Sequence, residues 1–250
     1  MSKSKLAEIE EKMRLTPHDP QLWLEKGLEL TAQNLHYEAV EAYSLGLYHD
    51  GSQAELLLAR GRRYISLRRW PEALADLAAA ARLQPDSFDN WYYQGVTQTL
   101  SGDYCRAAAA FERCLPIVRG GDGSNLAPVA VWLWLLYTRL GRRRDAETVI
   151  AGVTRETPEL AAAPSYRKIA LLYKGDAAPE GFIDESQLEN GDPRGPLYYI
   201  TETYHLANYY YMHGNTEASN ALLRKLKQTD KCNYAFAYML ARQDMELRGL

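Results

Sequence analysis

Glu202 and His205 stand three residues apart in LYYITETYHLANYYYMHG, a spacing that puts a carboxylate and an imidazole on one face of a helix. Di-metal sites in helical proteins use such a pair, but they need two copies of it and two further carboxylates. The sequence supplies one copy, so the expectation is two polar positions on an amphipathic helix and no metal. The chain contains no HExxH, no CxxC and no GxxxxGK[ST]. Its Gly-rich stretch GGDGSN, residues 120–125, follows no strand and precedes no Lys-Ser, so it reads as a mobile connection rather than a phosphate loop. The five His do not cluster along the chain, and nothing sets a nucleophile beside a base and an orienting group. The expectation is no catalytic residue and no cofactor. The alternative is a metal protein or enzyme working through the Tyr- and acid-rich C-terminal third, separable by metal analysis of the purified protein.

Two basic runs, ARGRRYISLRR and GRRRDA, carry Arg60, Arg62, Arg63, Arg68, Arg69, Arg142, Arg143 and Arg144. A nucleic-acid surface would want these on one face with aromatic stacking partners. Glu55, Glu72, Asp76, Asp145 and Glu147 nearly balance them, and several sit where cations favour a helix C-terminus. A nucleic-acid partner is therefore the third reading, behind protein binding and C-terminal chemistry, and salt-dependent binding to oligonucleotides separates it.

Among 250 residues, 46% are apolar and 24% charged, enough to bury a core and stay soluble. The net charge of −3 gives no global field for nucleic acid or an anionic membrane. The apolar run AVWLWLLY falls far short of the roughly 18–20 residues of a membrane span. The start, MSKSKLAEIEEKM, is charged and helical in character, without a signal-peptide apolar segment. Cys105 and Cys114, nine residues apart in one predicted helix, lie about 13 Å apart along its axis, beyond the roughly 7 Å a disulfide spans. Isolated thiols and the absent leader point to the cytoplasm, and Cys114 reads as a small buried hydrophobe.

The elements that must position all of this repeat. RLTPHDPQLW, residues 14–23, returns as RLQPDSFDNW, residues 82–91, with Arg, Leu, Pro and Trp in register. The shift of 68 is twice 34. At that period stand Gly27, Gly61 and Gly95; Ala39, Ala73 and Ala107; Tyr43, Leu77 and Phe111; Trp23, Leu57 and Trp91. Each unit reads as two amphipathic helices, residues 20–33 and 37–50 in the first. Gly in mid-helix costs about 1 kcal/mol against Ala. It is tolerated where its missing side chain lets the second helix pack close. The boundaries that follow are a leading half-unit at 1–19, units at 20–53, 54–87 and 88–121, a degenerate unit at 127–160, a non-repeat insertion at 161–199, a further unit at 200–233 and a capping helix at 234–250. In the degenerate unit Trp134 takes the place of the mid-helix Gly, which predicts that close helix packing is lost there.

Trp, Gly, Tyr64, Ala, an aromatic and Pro over thirty-four residues resemble the tetratricopeptide repeat (TPR). The Leu before Gly is replaced by Lys26, Arg60 and Gln94. The resemblance implies an all-α fold, a right-handed α-α superhelix of helix pairs. Residues 161–250, with the Tyr173–Asp176 turn and a Tyr-rich returning repeat, resemble the C-terminal half of bacterial NlpI-type TPR lipoproteins. That likeness implies an adaptor that brings proteins together, often as a homodimer. The lipid-anchor Cys is absent, so an envelope location is not carried over.

The resemblance also implies a ligand groove on the inner face of each first helix. By register this face holds Leu24, Leu28 and Thr31; Leu58, Arg62 and Ile65; Tyr92, Val96 and Thr99; Val131, Leu135 and Thr138. Leu24 and Leu28 stand where co-chaperone TPRs grip acidic tails with Lys and Asn, which argues against a carboxylate clamp. An apolar, aromatic trough with one central cation suits a partner's amphipathic helix or extended peptide. It equally suits a face covered by residues 161–199, by the capping helix or by a second copy.

Overall fold

The structure, a computed structural model, describes residues 4–229 and 232–250. The first three residues of the leading half-unit, and residues 230–231 near the end of the last unit, lie outside them. Among the described residues there are thirteen α-helices, one 3-10 helix and no strand. They fall into two compact units, one ending at Ile117 and one beginning at Val118.

The N-terminal unit holds α1 (Lys5–Leu15), α2 (Pro20–Ala32), α3 (His36–His49), α4 (Ala54–Ser66), α5 (Trp70–Leu83), α6 (Phe88–Leu100) and most of α7 (Tyr104–Arg119). Local chemistry starts the helices. The Ser4 hydroxyl accepts the Ala7 amide, Asp19 accepts that of Gln21, and Pro20 and Pro71 sit in first turns. Each pair closes through a tight turn held by one residue of positive φ: Asn34 at 61°, Arg68 at 58° and Gly102 at 85°, thirty-four residues apart.

Packing repeats with the same period. A Cβ on Gly27 would come within 2.1 Å of the Tyr43 ring, and one on Gly95 within 2.6 Å of Phe111, so the bare glycine backbone is what admits the facing ring. At Gly61 the facing residue is Leu77, and the approach relaxes to 3.0 Å. Ala39, Ala73 and Ala107 are fully buried. The recurrence that opens the repeat has its own bond: the Trp23 indole donates to the Pro17 carbonyl at 2.9 Å, and the Trp91 indole to that of Pro85 at 2.6 Å.

The C-terminal unit holds α8 (Leu126–Arg139), α9 (Arg143–Ala151), α10 (Ser165–Lys174), the 3-10 helix Glu185–Leu188, α11 (Gly195–Met212), α12 (Thr216–Lys227) and α13 (Phe236–Arg248). α11 begins at Gly195, five residues before the boundary expected at 200. α8 is buried on every face from Ala127 to Tyr137, as its all-round apolar sequence dictates. The expected loss of close packing at Trp134 takes a specific form: α8 still pairs with α9, and the Trp134 ring stacks on Tyr173 of α10 at 3.7 Å between centroids. A tryptophan in place of glycine has recruited a partner outside the repeat.

Candidate interaction surface

In the N-terminal unit α2 touches α4 and α4 touches α6, so the first helices of successive pairs stand side by side. Of the nine residues expected on their inner face and on that of α8, Leu28 is half exposed, and Leu58, Arg62 and Tyr92 are partly buried. The other five are core. Leu24 packs with Leu30, Ala42, Tyr43 and Leu56. Ile65, Val96, Val131 and Leu135 are at most 1% exposed. Thr99 is buried too and turns its hydroxyl back onto the Gly95 carbonyl at 2.7 Å, while Thr31 and Thr138 are partly buried. For Val131 and Leu135 the cause is visible in their own unit, where α9 and α10 enclose α8. Tyr92 of the expected trough does not stand alone on the surface. Instead it stacks on Phe88 at 5.3 Å and meets the buried Phe111 ring edge-on at 5.5 Å.

The arginines of α4 divide sharply. Arg60 is held bidentately by Asp76, Nε to Oδ2 and Nη2 to Oδ1, each at 2.8 Å. Arg69 pairs with Glu72, Arg142 with Asp145 and Arg143 with Glu147. Arg62 and Arg63 have no carboxylate partner among the described residues. The Arg62 guanidinium lies over the Tyr93 ring, 4.5 Å from its centroid, and Arg63 Nη1 reaches His36 Nδ1 at 3.4 Å. Burial and the neighbouring Arg62 charge lower the affinity of Arg63 for its proton, and burial followed by Arg63 does the same to His36. Within this unit the expected near-balance of charge holds for Arg60 and Arg69 and fails at Arg62 and Arg63. Arg63, His36 and Tyr93 were not among the expected groove residues. Neither Arg62 nor Arg63 has an acid three or four residues away on its helix, but neither does Arg60, so helical spacing alone did not single them out.

Glu202 and His205 are both buried, at 4% and 2% exposed, rather than lying on a wet helix face. Glu202 accepts from the Ser165 hydroxyl at 2.9 Å and from the Lys168 ammonium at 2.8 Å. His205 Nδ1 lies 2.7 Å from the Tyr173 hydroxyl. Desolvation, aided by the Arg139 charge, depresses its pKa to about 3, so it is neutral at physiological pH. Beside them Arg139 donates to both oxygens of Asp244, at 2.9 and 2.8 Å, and to the Tyr204 hydroxyl, which in turn donates to Asp244 at 3.1 Å. These groups satisfy one another and hold α8, α10, α11 and α13 together.

The histidines are less scattered than their sequence positions imply, since His18 and His49 meet at 3.2 Å between their Nδ1 atoms. Among the described residues no three His, Cys, Asp or Glu side chains converge as a metal site. Cys114 is fully buried, and burial lifts its thiol pKa to about 12.

No family model matches the chain. Solved structures do. A tetratricopeptide repeat protein from Parabacteroides merdae is 15% identical over 95% of this chain and 91% of its own, with a TM-score of 0.59. YrrB, described as a TPR protein with an unusual peptide-binding site, is 15% identical over 95% and 97%, with a TM-score of 0.54. PilF of Pseudomonas aeruginosa is 14% identical over 94% and 86%, at 0.52. The fold is the TPR fold. The turn, the Gly-to-ring contact and the Trp-to-Pro bond described above are the TPR period written in this chain's own residues. No helix among the described residues is long and apolar enough to cross a membrane.

Proposed function

We propose that the chain is a non-enzymatic protein-interaction scaffold of the cytoplasm. It takes a peptide or helix of a partner on the face formed by α2, α4 and α6. The observation that carries this reading is the contrast at Leu28 and Arg62. A half-exposed leucine and a cation without a carboxylate partner stand on adjacent first helices, whereas the buried charges Arg139, Glu202 and Asp244 of the C-terminal unit are paired within the chain. Support also comes from the likeness to YrrB, whose description includes a peptide-binding site. Apolar anchoring at Leu28 and Leu58, with a polar contact at Arg62, fits a partner segment of mixed character.

Leu28→Glu tests the reading in a pull-down from host lysate followed by mass spectrometry, with Tyr48→Glu as the control. Tyr48 is 84% exposed at the end of a second helix. A lost hot spot costs about 2 kcal/mol, roughly thirtyfold, so the leucine variant should lose its partners and the tyrosine variant keep them. Equal capture by wild type and Leu28→Glu at equal stability overturns the reading.

A further inference from the structure

We infer that Arg62 and Arg63, with His36 beside them and the Tyr93 ring beneath Arg62, form a phosphoryl-binding site on the interaction face, selecting a partner segment that carries a phosphate monoester. The inference rests on the reading of that face as a binding surface and adds the chemistry of its ligand. Two adjacent, partly buried guanidinium groups without a carboxylate repel each other and have given up part of their hydration. In the same unit Arg60 and Arg69 each hold a carboxylate, whereas Arg62 and Arg63 meet an aromatic ring and an imidazole instead.

The charges of both guanidinium groups act on the same two hydroxyls, those of Tyr43 and Tyr93, with the Asp89 carboxylate acting against them at Tyr93. The two cations therefore serve one compact region. Tyr43 is itself tied to Thr31 at 3.3 Å, and stacking on Tyr93 holds the Arg62 plane. A single compact anion of charge near −2 matches two cations in one place. Two carboxylates on one face of an extended segment are about 6.5 Å or more apart, a poorer match. Arginine forks suit the tetrahedral face of a phosphate, which accepts several N–H bonds at once. Arg63 can only donate, so His36 Nδ1 accepts from it and the neutral ring carries its proton on Nε2, a third donor for the anion.

The test uses the full chain and three probes: an acetylated, amidated Ala-phosphoserine-Ala peptide, the same peptide with Glu-Glu in place of phosphoserine, and a thymidine oligonucleotide. Calorimetry at matched ionic strength should show the phosphopeptide binding to wild type. It should bind about tenfold or more weakly to Arg62→Gln and to Arg63→Gln, and as for wild type to Arg106→Gln, an exposed arginine paired with Asp103. Inorganic phosphate should raise the melting temperature of wild type and leave that of Arg62→Gln/Arg63→Gln unmoved. In phosphate-free buffer the double variant should melt close to wild type, because relief of the repulsion offsets the lost Arg62–Tyr93 stacking and Arg63–His36 bond. No phosphopeptide binding to wild type, equal binding to the double variant, equal preference for Glu-Glu, or tighter binding of the oligonucleotide each overturns the inference. If Leu28→Glu abolishes partner capture while the double variant retains it, the interaction face stands and the phosphoryl site falls.

Discussion

In the N-terminal unit a small residue on one helix faces a large one on the next: Gly27 against Tyr43, Gly61 against Leu77, Gly95 against Phe111. These contacts are sixteen residues long in sequence and apolar. In the C-terminal unit α8 carries Trp134 where that glycine would stand, and its ring stacks on Tyr173. There the helices are also tied by charged and polar side chains reaching 105 residues along the chain, from Arg139 to Asp244. A repeat with local contacts is stabilised neighbour by neighbour. A core with a buried polar network is stabilised only if every member has its partner. The two units should therefore fail differently.

The largest difference is expected at Asp244. Its carboxylate is 7% exposed and neutralises Arg139, itself 16% exposed. Asp244→Ala removes the counter-charge of a buried cation and should cost about 3–5 kcal/mol by urea unfolding. The counterpart in the repeat, Asp76→Ala, frees Arg60, which keeps the Ser44 hydroxyl at 3.0 Å and has a side chain 20% exposed. It should cost about half as much. Equal losses at the two sites would erase the contrast between the units.

Acid separates the units next. His205 is buried neutral with a pKa near 3, against about 6.5 when unfolded. The unfolded chain thus binds the extra proton first. The neutral histidine costs nothing above pH 6.5, and stability drops as pH falls from there towards 3. At about 1.4 kcal/mol per unit, roughly 2 kcal/mol is lost between pH 6.5 and 5. His36 in the repeat moves in the same direction but is partly exposed, so its share is smaller. Urea unfolding at pH 7 and 5 should show a drop in wild type that His205→Gln largely removes. An unchanged pH slope in that variant would place the acid sensitivity elsewhere.

What the sequence disclosed follows the same division. The period of 34 exposed the helix pairs and the Gly-to-ring packing, because each contact lies within one unit of the repeat. It exposed the register of the inner face too, but a register fixes direction and not exposure. Leu24 and Val96 stand at groove positions and are nonetheless core. Glu202 and His205 looked like wet polar positions because their partners, Ser165, Lys168 and Tyr173, lie more than thirty residues away with no periodic signal linking them. The pairing of Arg69 with Glu72, and of Arg143 with Glu147, was legible at helical spacing. The same rule finds no acid within helical reach of Arg62 or Arg63, but none for Arg60 either, whose partner Asp76 lies on the next helix.

The smallest expected effect tests the repeat at its turns and has the opposite sign. Asn34, Arg68 and Gly102 occupy one column, all with positive φ. The left-handed region costs a side-chain-bearing residue about 1–2 kcal/mol, less for Asn and nothing for Gly. Arg68 bears that strain at 58°, and its exposed side chain makes no ion pair among the described residues that would compensate. Arg68→Gly relieves the strain but gives the unfolded chain more freedom, which costs part of the gain back. The net should be a stabilisation of about 0.5–1 kcal/mol, seen as a higher urea midpoint at unchanged slope. Gly102→Arg should give a loss of about 1 kcal/mol, because it imposes the same backbone demand on a side chain. If Arg68→Gly lowers the midpoint, Arg68 has a stabilising role in the folded state larger than its backbone strain, and the turn column is not equivalent from one repeat to the next.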